Sequence, residues 1–268
     1  MLHRGTGKVA GETRPRGRRR SGSAKPLTFP ARGDAKTDSA RRTEIRFFWG
    51  ISELTNSDRE KRQSIIDACL RMNALGINQG TSGNISLRHE GGMLVTPTSV
   101  PYETMRPDQI VFMDLDGSFA ADQRPSSEWR FHLDILRARP EVNAVVHAHP
   151  LYATTLAIMG LEIPPIHYMV AVAGGDTIRC APYATFGTEE LSRHAVSALE
   201  DRLACLLAHH GMIAIGPSLS KAMWLAVEVE TLARQYHGCL QLGTPPLLSK
   251  AEIKKVIRRM SGYGPAGD

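Results

Sequence analysis

Two histidines one residue apart, His147 and His149, close the β-branched stretch Val145-Val146-His147-Ala148-His149-Pro150. Side chains at i and i+2 of a strand share a face, with Cα atoms about 6.6 Å apart at a rise of about 3.3 Å per residue. Both imidazoles can therefore reach a single ion at about 2.0 to 2.1 Å, the usual zinc to nitrogen distance. Two ligands leave the shell half complete. Candidates for a third are His209 and His210, at the end of the apolar run Leu203 to Ala208 and just before Gly211, which permits a tight turn and a close backbone approach. Glu128 is the candidate fourth: it follows Arg124-Pro125-Ser126-Ser127 in the first turn of an expected helix, where the dipole favours a carboxylate. A zinc ion held this way with an open coordination position acts as a Lewis acid. The choice between His209 and His210 stays open at this level.

These residues need elements to position them. The spacing Ser57-x-x-Glu60 reads as a capping box ahead of a helix carrying Ile65, Ile66, Cys69, Leu70 and Leu75, with Gly76 as its stop. Short strands are expected at Asn84 to Arg88, Met93 to Thr96 and Ile110 to Asp114, separated by turn residues. A helix is expected from Ser126 or Ser127 to just before Pro140, followed by the histidine strand and a short helix from Leu151. An apolar segment over His167 to Ala173 ends at Gly174-Gly175. A helix over Glu189 to Glu200, strands over Leu203 to Ala208 and Met212 to Ile215, and a long helix over Ser220 to Leu240 follow. Ser249-x-x-Glu252 opens a terminal helix. The mixture lacks a regular βαβ repeat and predicts a layered α/β domain with helices flanking a sheet.

The net charge of +6 suggests nucleic acid until it is mapped: residues 1–55 carry 13 Lys or Arg against 5 Asp or Glu, which leaves the remainder at −2. The folded part, residues 56–268, is therefore not expected to bind nucleic acid. Residues 1–55 are expected to form a disordered, dispensable basic extension, since they hold too few apolar residues to bury. A transit peptide is disfavoured because the apolar face that it needs is missing. Four scattered cysteines without CxxC spacing point to reduced thiols in a cytoplasm, and no apolar run approaches membrane-spanning length.

Several segments taken together resemble the class II aldolase and adducin family. They are Leu75-Gly76-Ile77-Asn78-Gln79-Gly80-Thr81-Ser82-Gly83-Asn84, Pro125-Ser126-Ser127-Glu128-Trp129-Arg130-Phe131-His132, His147-Ala148-His149, Ile166-His167-Tyr168-Met169, Cys180 to Thr188, and His209-His210-Gly211. The resemblance runs from about Ser57 to Tyr263. It implies a single domain with a mostly antiparallel central sheet flanked by helices, and one zinc ion per subunit held by His147, His149, His210 and Glu128. Glu128 would also do acid/base work, and Tyr168 would exchange a proton with the substrate oxygen near the cleaved bond. The implied phosphate site comprises Thr81, Gly83, Asn84, Thr98, Ser99, Ser126 and Ser127, and Tyr263 would close over the aldehyde. Gly-flanked turns and a helix start do supply backbone N–H groups for an anion, and small hydroxyl or amide side chains add donors without bulk.

The implied reaction is reversible cleavage of a ketose 1-phosphate to dihydroxyacetone phosphate and an aldehyde. Breaking that carbon–carbon bond leaves an enediolate that needs a cation. A Schiff-base lysine is not required, and no lysine occurs between Lys61 and Lys221. The resemblance further implies a homotetramer with sites at subunit interfaces. Three departures bear on substrate: Ser82, Ser99 and Met260 stand where a similar family member has alanine, glycine and phenylalanine. The alternatives are a pentulose-phosphate 4-epimerase, whose branch carries aspartate where Glu128 stands, a sugar-phosphate dehydratase, and a non-catalytic adducin-like module, which need not keep the metal shell.

Overall fold

In the computed structural model, which describes residues 54–260, seven strands form one sheet around which the helices are layered. The strands are β1 (Asn84–His89), β2 (Gly92–Val95), β3 (Val111–Asp114), β4 (Ala144–Ala148), β5 (Arg179–Ala181), β6 (Ala204–Leu207) and β7 (Gly211–Gly216). They lie in the order β3-β2-β1-β4-β7-β6-β5, antiparallel except for the β5/β6 pair. The helices are α1 (Asn56–Ala74), α2 (Trp129–Ala138), α3 (Leu151–Ile158), α4 (Glu189–Ala198), α5 (Leu219–Leu242) and α6 (Lys250–Arg259). The expected α/β class and mostly antiparallel sheet are present. The expectations for residues 1–53 and for Tyr263 lie outside the described residues.

Strand periodicity sorts the core into two layers. Ile85, Val146, Ala148, Leu206 and Met212 pack with α1, α3 and α5 on one face, while Val145, Cys205, Leu207 and Ile213 pack with α2 and α4 on the other. His147 shares the parity of Val145, so its ring leaves the sheet on the α2 face and meets Phe131 edge-on at 5.3 Å between centroids. The strand ends at Ala148, so His149 projects from just beyond it. β4 sits at the centre of the sheet, where Asn84 pairs with His147 on one side and Ile213 pairs with it on the other. Ligand residues on a central strand are held by hydrogen bonds from both sides.

Two local readings need correction, and one strand is not among those expected. The α1 cap is Thr55, not Ser57: Thr55 is extended and its hydroxyl accepts from the Asp58 N–H at 3.1 Å, leaving Ser57 within the first turn. Asp58 then pairs with Arg62 at i,i+4 and with His89 of β1, at 3.0 and 3.1 Å. The second helix starts at Trp129, later than expected, because the Ser126 N–H still donates to the Thr96 carbonyl and Pro125 bridges to Pro97. Glu128 therefore becomes the residue that precedes the helix. β5 is a third difference: three residues are too few for a period-2 pattern to show. Short 3-10 turns at Tyr102–Thr104, Pro107–Gln109 and Tyr168–Ala173 complete the connections. Among the described residues no helix is long and apolar enough to cross a membrane, and all four cysteines are unpaired.

Candidate metal centre

Glu128, His147, His149 and His210 come together with one ligand atom from each inside a span of 4.8 Å. His147 Nε2 lies 2.9 Å from His149 Nε2 and 3.2 Å from Glu128 Oε2, and His210 Nε2 lies 3.0 Å from Glu128 Oε1. A tetrahedral ion with bonds of about 2.0 to 2.1 Å separates its ligand atoms by roughly 3.3 Å. The nearest pairs need to open by a few tenths of an ångström, and the widest, within 4.8 Å, to close, for the four atoms to surround one ion. His209, the alternative to His210, turns its ring to Tyr183 at 5.9 Å instead.

Donor chemistry argues for a cation at this point. His147 Nδ1 lies 2.9 Å from the Met212 carbonyl, which can only accept, so Nδ1 carries a hydrogen, and the lone pair available to a cation is the one at Nε2. That lone pair faces a carboxylate oxygen and a second imidazole nitrogen. Glu128 Oε1 is buried and has no hydrogen bond of good geometry, although His210 lies within ion-pair distance. Lone pairs converging from several buried groups are what a divalent ion relieves.

The protonation states fit that role. Burial, then the neighbouring His147 and His210, push His149 down to about 3, so it is neutral and able to ligate near pH 7. Burial and then His147 likewise push His132 down to about 3. For Glu128 in the ion-free site, burial acts upward, but His147 and His210, acting as cationic hydrogen-bond donors, outweigh it and hold the carboxylate below its ordinary range. The sign of the stability effect follows. His132 is neutral when folded, with a depressed pKa, whereas the unfolded chain takes up a proton below the ordinary 6.5. Metal-free protein should therefore lose urea-unfolding stability progressively as pH falls from about 6.5 toward 3, and His132→Phe should flatten that slope. Equal slopes for the two proteins would reject the assignment of a buried neutral imidazole.

Glycines let the backbone close around the ligands. A Cβ on Gly211 would lie 2.5 Å from the Ala148 carbonyl oxygen and 2.7 Å from His149 Cδ2, and one on Gly83 would lie 2.7 Å from the His147 carbonyl oxygen. Asn78 fastens the same region: its Oδ1 accepts from Ser82 Oγ at 2.9 Å and from the His149 N–H at 3.4 Å. The Tyr102 hydroxyl donates to the Gly83 carbonyl.

The other expected site residues fall around this centre in different ways. Ser126 and the Thr98-Ser99 segment are brought together by the Ser126 N–H to Thr96 and Thr98 N–H to Arg124 carbonyl bonds, at 2.9 and 3.1 Å. Ser126 Oγ accepts from the Glu128 N–H at 3.3 Å, and Ser99 has the left-handed φ of 58°. Thr81 and Ser127 are exposed, whereas Gly83 and Asn84 are buried. The Asn84 amide already donates to Glu128 Oε2 at 2.9 Å, so a phosphate contact would use its second hydrogen. Ser127, Glu128, His149, His210, Tyr183 and Phe186 line a cleft of about 310 Å³. Tyr168 does not line it: its ring rests on His167 and is 47% exposed. A larger groove of about 610 Å³, near Asp134, Arg139 and Ser192, contains none of the ligand residues.

Residues that sequence reasoning passed over include Asn78 and His132. His132 is fully buried, and the signal for it was a polar residue four positions after Glu128 on the apolar face of α2.

Comparison with known proteins gives a consistent picture. The family profile "Class II Aldolase and Adducin N-terminal domain" matches residues 63–237. A 5-methylthioribulose-1-phosphate/5-deoxyribulose-1-phosphate aldolase of Rhodospirillum rubrum is 53% identical over 203 residues, covering 76% of this chain and 92% of the relative. An L-fuculose phosphate aldolase of Escherichia coli is 52% identical over 203 residues, covering 75% and 94%. Among solved structures, an L-fuculose 1-phosphate aldolase superposes with a TM-score of 0.73 at 35% identity, covering 77% of this chain and 98% of that one.

Proposed function

The chain belongs to the class II aldolase and adducin family, and on that premise we propose that it cleaves a ketose 1-phosphate reversibly to dihydroxyacetone phosphate and an aldehyde, using zinc. The observation that carries the reading is the convergence of Glu128, His147, His149 and His210 beside a cleft. A non-catalytic module would have no need of such a convergent donor set, two of its four members buried. The glutamate at position 128 counts against the 4-epimerase alternative, and nothing in the site favours a dehydratase.

Residues 56–268 are read as the catalytic domain. Zinc bound by the four ligands would supply Lewis acidity for the negative charge that develops as the carbon–carbon bond breaks. Three neutral imidazoles add no charge of their own, so the ion keeps a net positive charge even with Glu128 attached. Glu128, ionised at rest, would remove a proton from the dihydroxyacetone phosphate carbon in condensation; in cleavage it would return one to that carbon, balanced by the proton that the substrate hydroxyl gives up on becoming the aldehyde. Its carboxylate is well suited to this work because Asn84 holds one oxygen while the other lacks a good hydrogen bond. Thr81, Gly83, Asn84, Thr98, Ser99, Ser126 and Ser127 would receive the phosphate, and Tyr263 would border the aldehyde.

Tyr168 would handle the aldehyde oxygen from a neighbouring subunit. Its exposure in the single chain, with that of Tyr183, Phe186, Leu151 and Met159, supports self-association, read as a homotetramer. The location is proposed to be cytoplasmic.

The sugar is the open part of the reading. L-fuculose 1-phosphate, which gives L-lactaldehyde, is proposed first. A second substrate reading, 5-methylthioribulose or 5-deoxyribulose 1-phosphate, is favoured specifically by the 53% identical relative. The two differ only in the aldehyde half, where a pocket change shifts preference by about 1 to 3 kcal/mol. Measuring kcat/KM for all three ketose 1-phosphates by coupled detection of dihydroxyacetone phosphate decides between them. A higher value for L-fuculose 1-phosphate supports the first reading, and a tenfold preference for either deoxy sugar, about 1.4 kcal/mol, replaces it with the second.

A further inference from the structure

Glu128 is reached by a chain of buried hydrogen bonds that the cleavage chemistry does not itself require. Ser86 Oγ lies 2.8 Å from His132 Nδ1, His132 Nε2 lies 2.6 Å from Asn84 Oδ1, and Asn84 Nδ2 lies 2.9 Å from Glu128 Oε2. Three secondary elements contribute, since Ser86 and Asn84 stand on β1, His132 on α2, and Glu128 just ahead of α2. Ser86 and His132 are both fully buried.

The chemistry gives this chain one direction. An ionised carboxylate only accepts, so Asn84 must present its NH₂ to Glu128 and its carbonyl oxygen to His132. His132 must then carry its hydrogen on Nε2, which leaves Nδ1 to accept from the Ser86 hydroxyl. Reversing any one link would set lone pair against lone pair in a buried site. His132 has no freedom to turn, because its ring is stacked on Phe131 at 4.7 Å with an interplanar angle of 24°. Glu128 needs an outside restraint, since its side chain makes no capping bond to its own helix.

We propose that His132 is a positioning residue that fixes the orientation of the Asn84 amide and thereby clamps Glu128 Oε2. The other carboxylate oxygen, Oε1, is left as the one that moves between the cation and proton transfer. His132 touches neither the cation nor the substrate in this account; it acts through Asn84. The inference rests on the reading of Glu128 as a ligand, and its test is chosen so that it does not depend on the sugar.

Zinc affinity of the full-length chain, measured by competition with a chromophoric chelator, provides that test. Removing an outer partner of a ligand costs roughly 10- to 100-fold in metal affinity, and His132→Phe should show a loss in that range. His132→Gln, whose amide can donate where Nε2–H does, should recover most of the loss. In a Glu128→Ala background, which keeps the three histidines, His132→Phe should change affinity by less than about twofold, because the partner through which it acts is gone. A merely structural role for His132 would weaken zinc equally in both backgrounds, and that result overturns the proposal. So does unchanged affinity in His132→Phe. Should His132→Phe fail to fold, Asn84→Ala breaks the chain one link later and is run through the same cycle with the same criteria. If the unsubstituted protein takes up no zinc, the reading of the metal centre fails and this inference falls with it. Zinc uptake without aldolase activity would instead count against the proposed reaction alone.

Discussion

Glu128→Gln is expected to lower kcat about 10²- to 10⁴-fold while KM changes by less than about fivefold. The substitution preserves size and leaves an oxygen that can accept from Asn84, so the polar chain through His132 can persist. What it removes is the group that moves a proton to and from carbon. In barrier terms the loss is about 3 to 5.5 kcal/mol. A second readout isolates that step: hydrogen exchange between solvent and the reacting carbon of dihydroxyacetone phosphate, followed by NMR without any aldehyde, should disappear in the variant. Aldol cleavage within threefold of the unsubstituted protein would remove Glu128 from the proton-transfer role. The electrostatics explain why so buried a carboxylate can serve. Without the ion, His147 and His210 offset the burial that would otherwise favour its protonated form; with zinc bound, the cation itself would favour the ionised carboxylate.

Loss of any one histidine ligand should weaken metal binding by about 100-fold or more, whereas His209→Ala should leave it within about threefold. His147 is completely buried against Phe131, so truncating it also opens a cavity, with a stability cost of about 2 to 4 kcal/mol on top of the lost ligand. His149 is half-buried beyond the end of β4 and gives the cleaner comparison. Elemental analysis after gel filtration distinguishes the cases. Depleted metal in His149→Ala with full occupancy in His209→Ala is expected. Equal occupancy in both would mean that the ion, if present, sits elsewhere.

The histidine comparison also marks what could be read from the residues. His147 and His149 were legible because strand parity sets their faces, and β-branched neighbours announce the strand. The choice of His210 over His209 was not. It depends on the backbone at His209, which takes a φ of 55°, and on the turn into Gly211; the first of these is a conformation that a non-glycine residue does not advertise. Family resemblance supplied that choice, and the geometry brings the His210 ring to Glu128.

Glu128 teaches the complementary lesson. Helix signals at Ser126 and Ser127 placed it inside a first turn, but the sheet keeps hold of Ser126 through Thr96 and delays the helix. A carboxylate inside the turn would face its own helix; preceding it, Glu128 is free to face β4 and β7. The polar chain from Ser86 to Glu128 was illegible for a related reason. Its members are separated by 46, 48 and 44 positions in turn, so no local pattern connects them, and only the sheet register places Asn84 beside His147. The three-residue β5 was similarly hidden, its position dictated by parallel pairing to β6.

Metal titration of the cleavage reaction tests the central claim most directly. Full-length protein would be stripped with chelator, reconstituted with increasing zinc, and assayed for dihydroxyacetone phosphate released from L-fuculose 1-phosphate and the 5-deoxyribulose and 5-methylthioribulose 1-phosphates. The expected result is no release from the stripped protein and a linear rise that saturates at about one ion per chain. Undiminished cleavage by the stripped protein, or no dihydroxyacetone phosphate from any of the three sugars at full zinc occupancy, would contradict it.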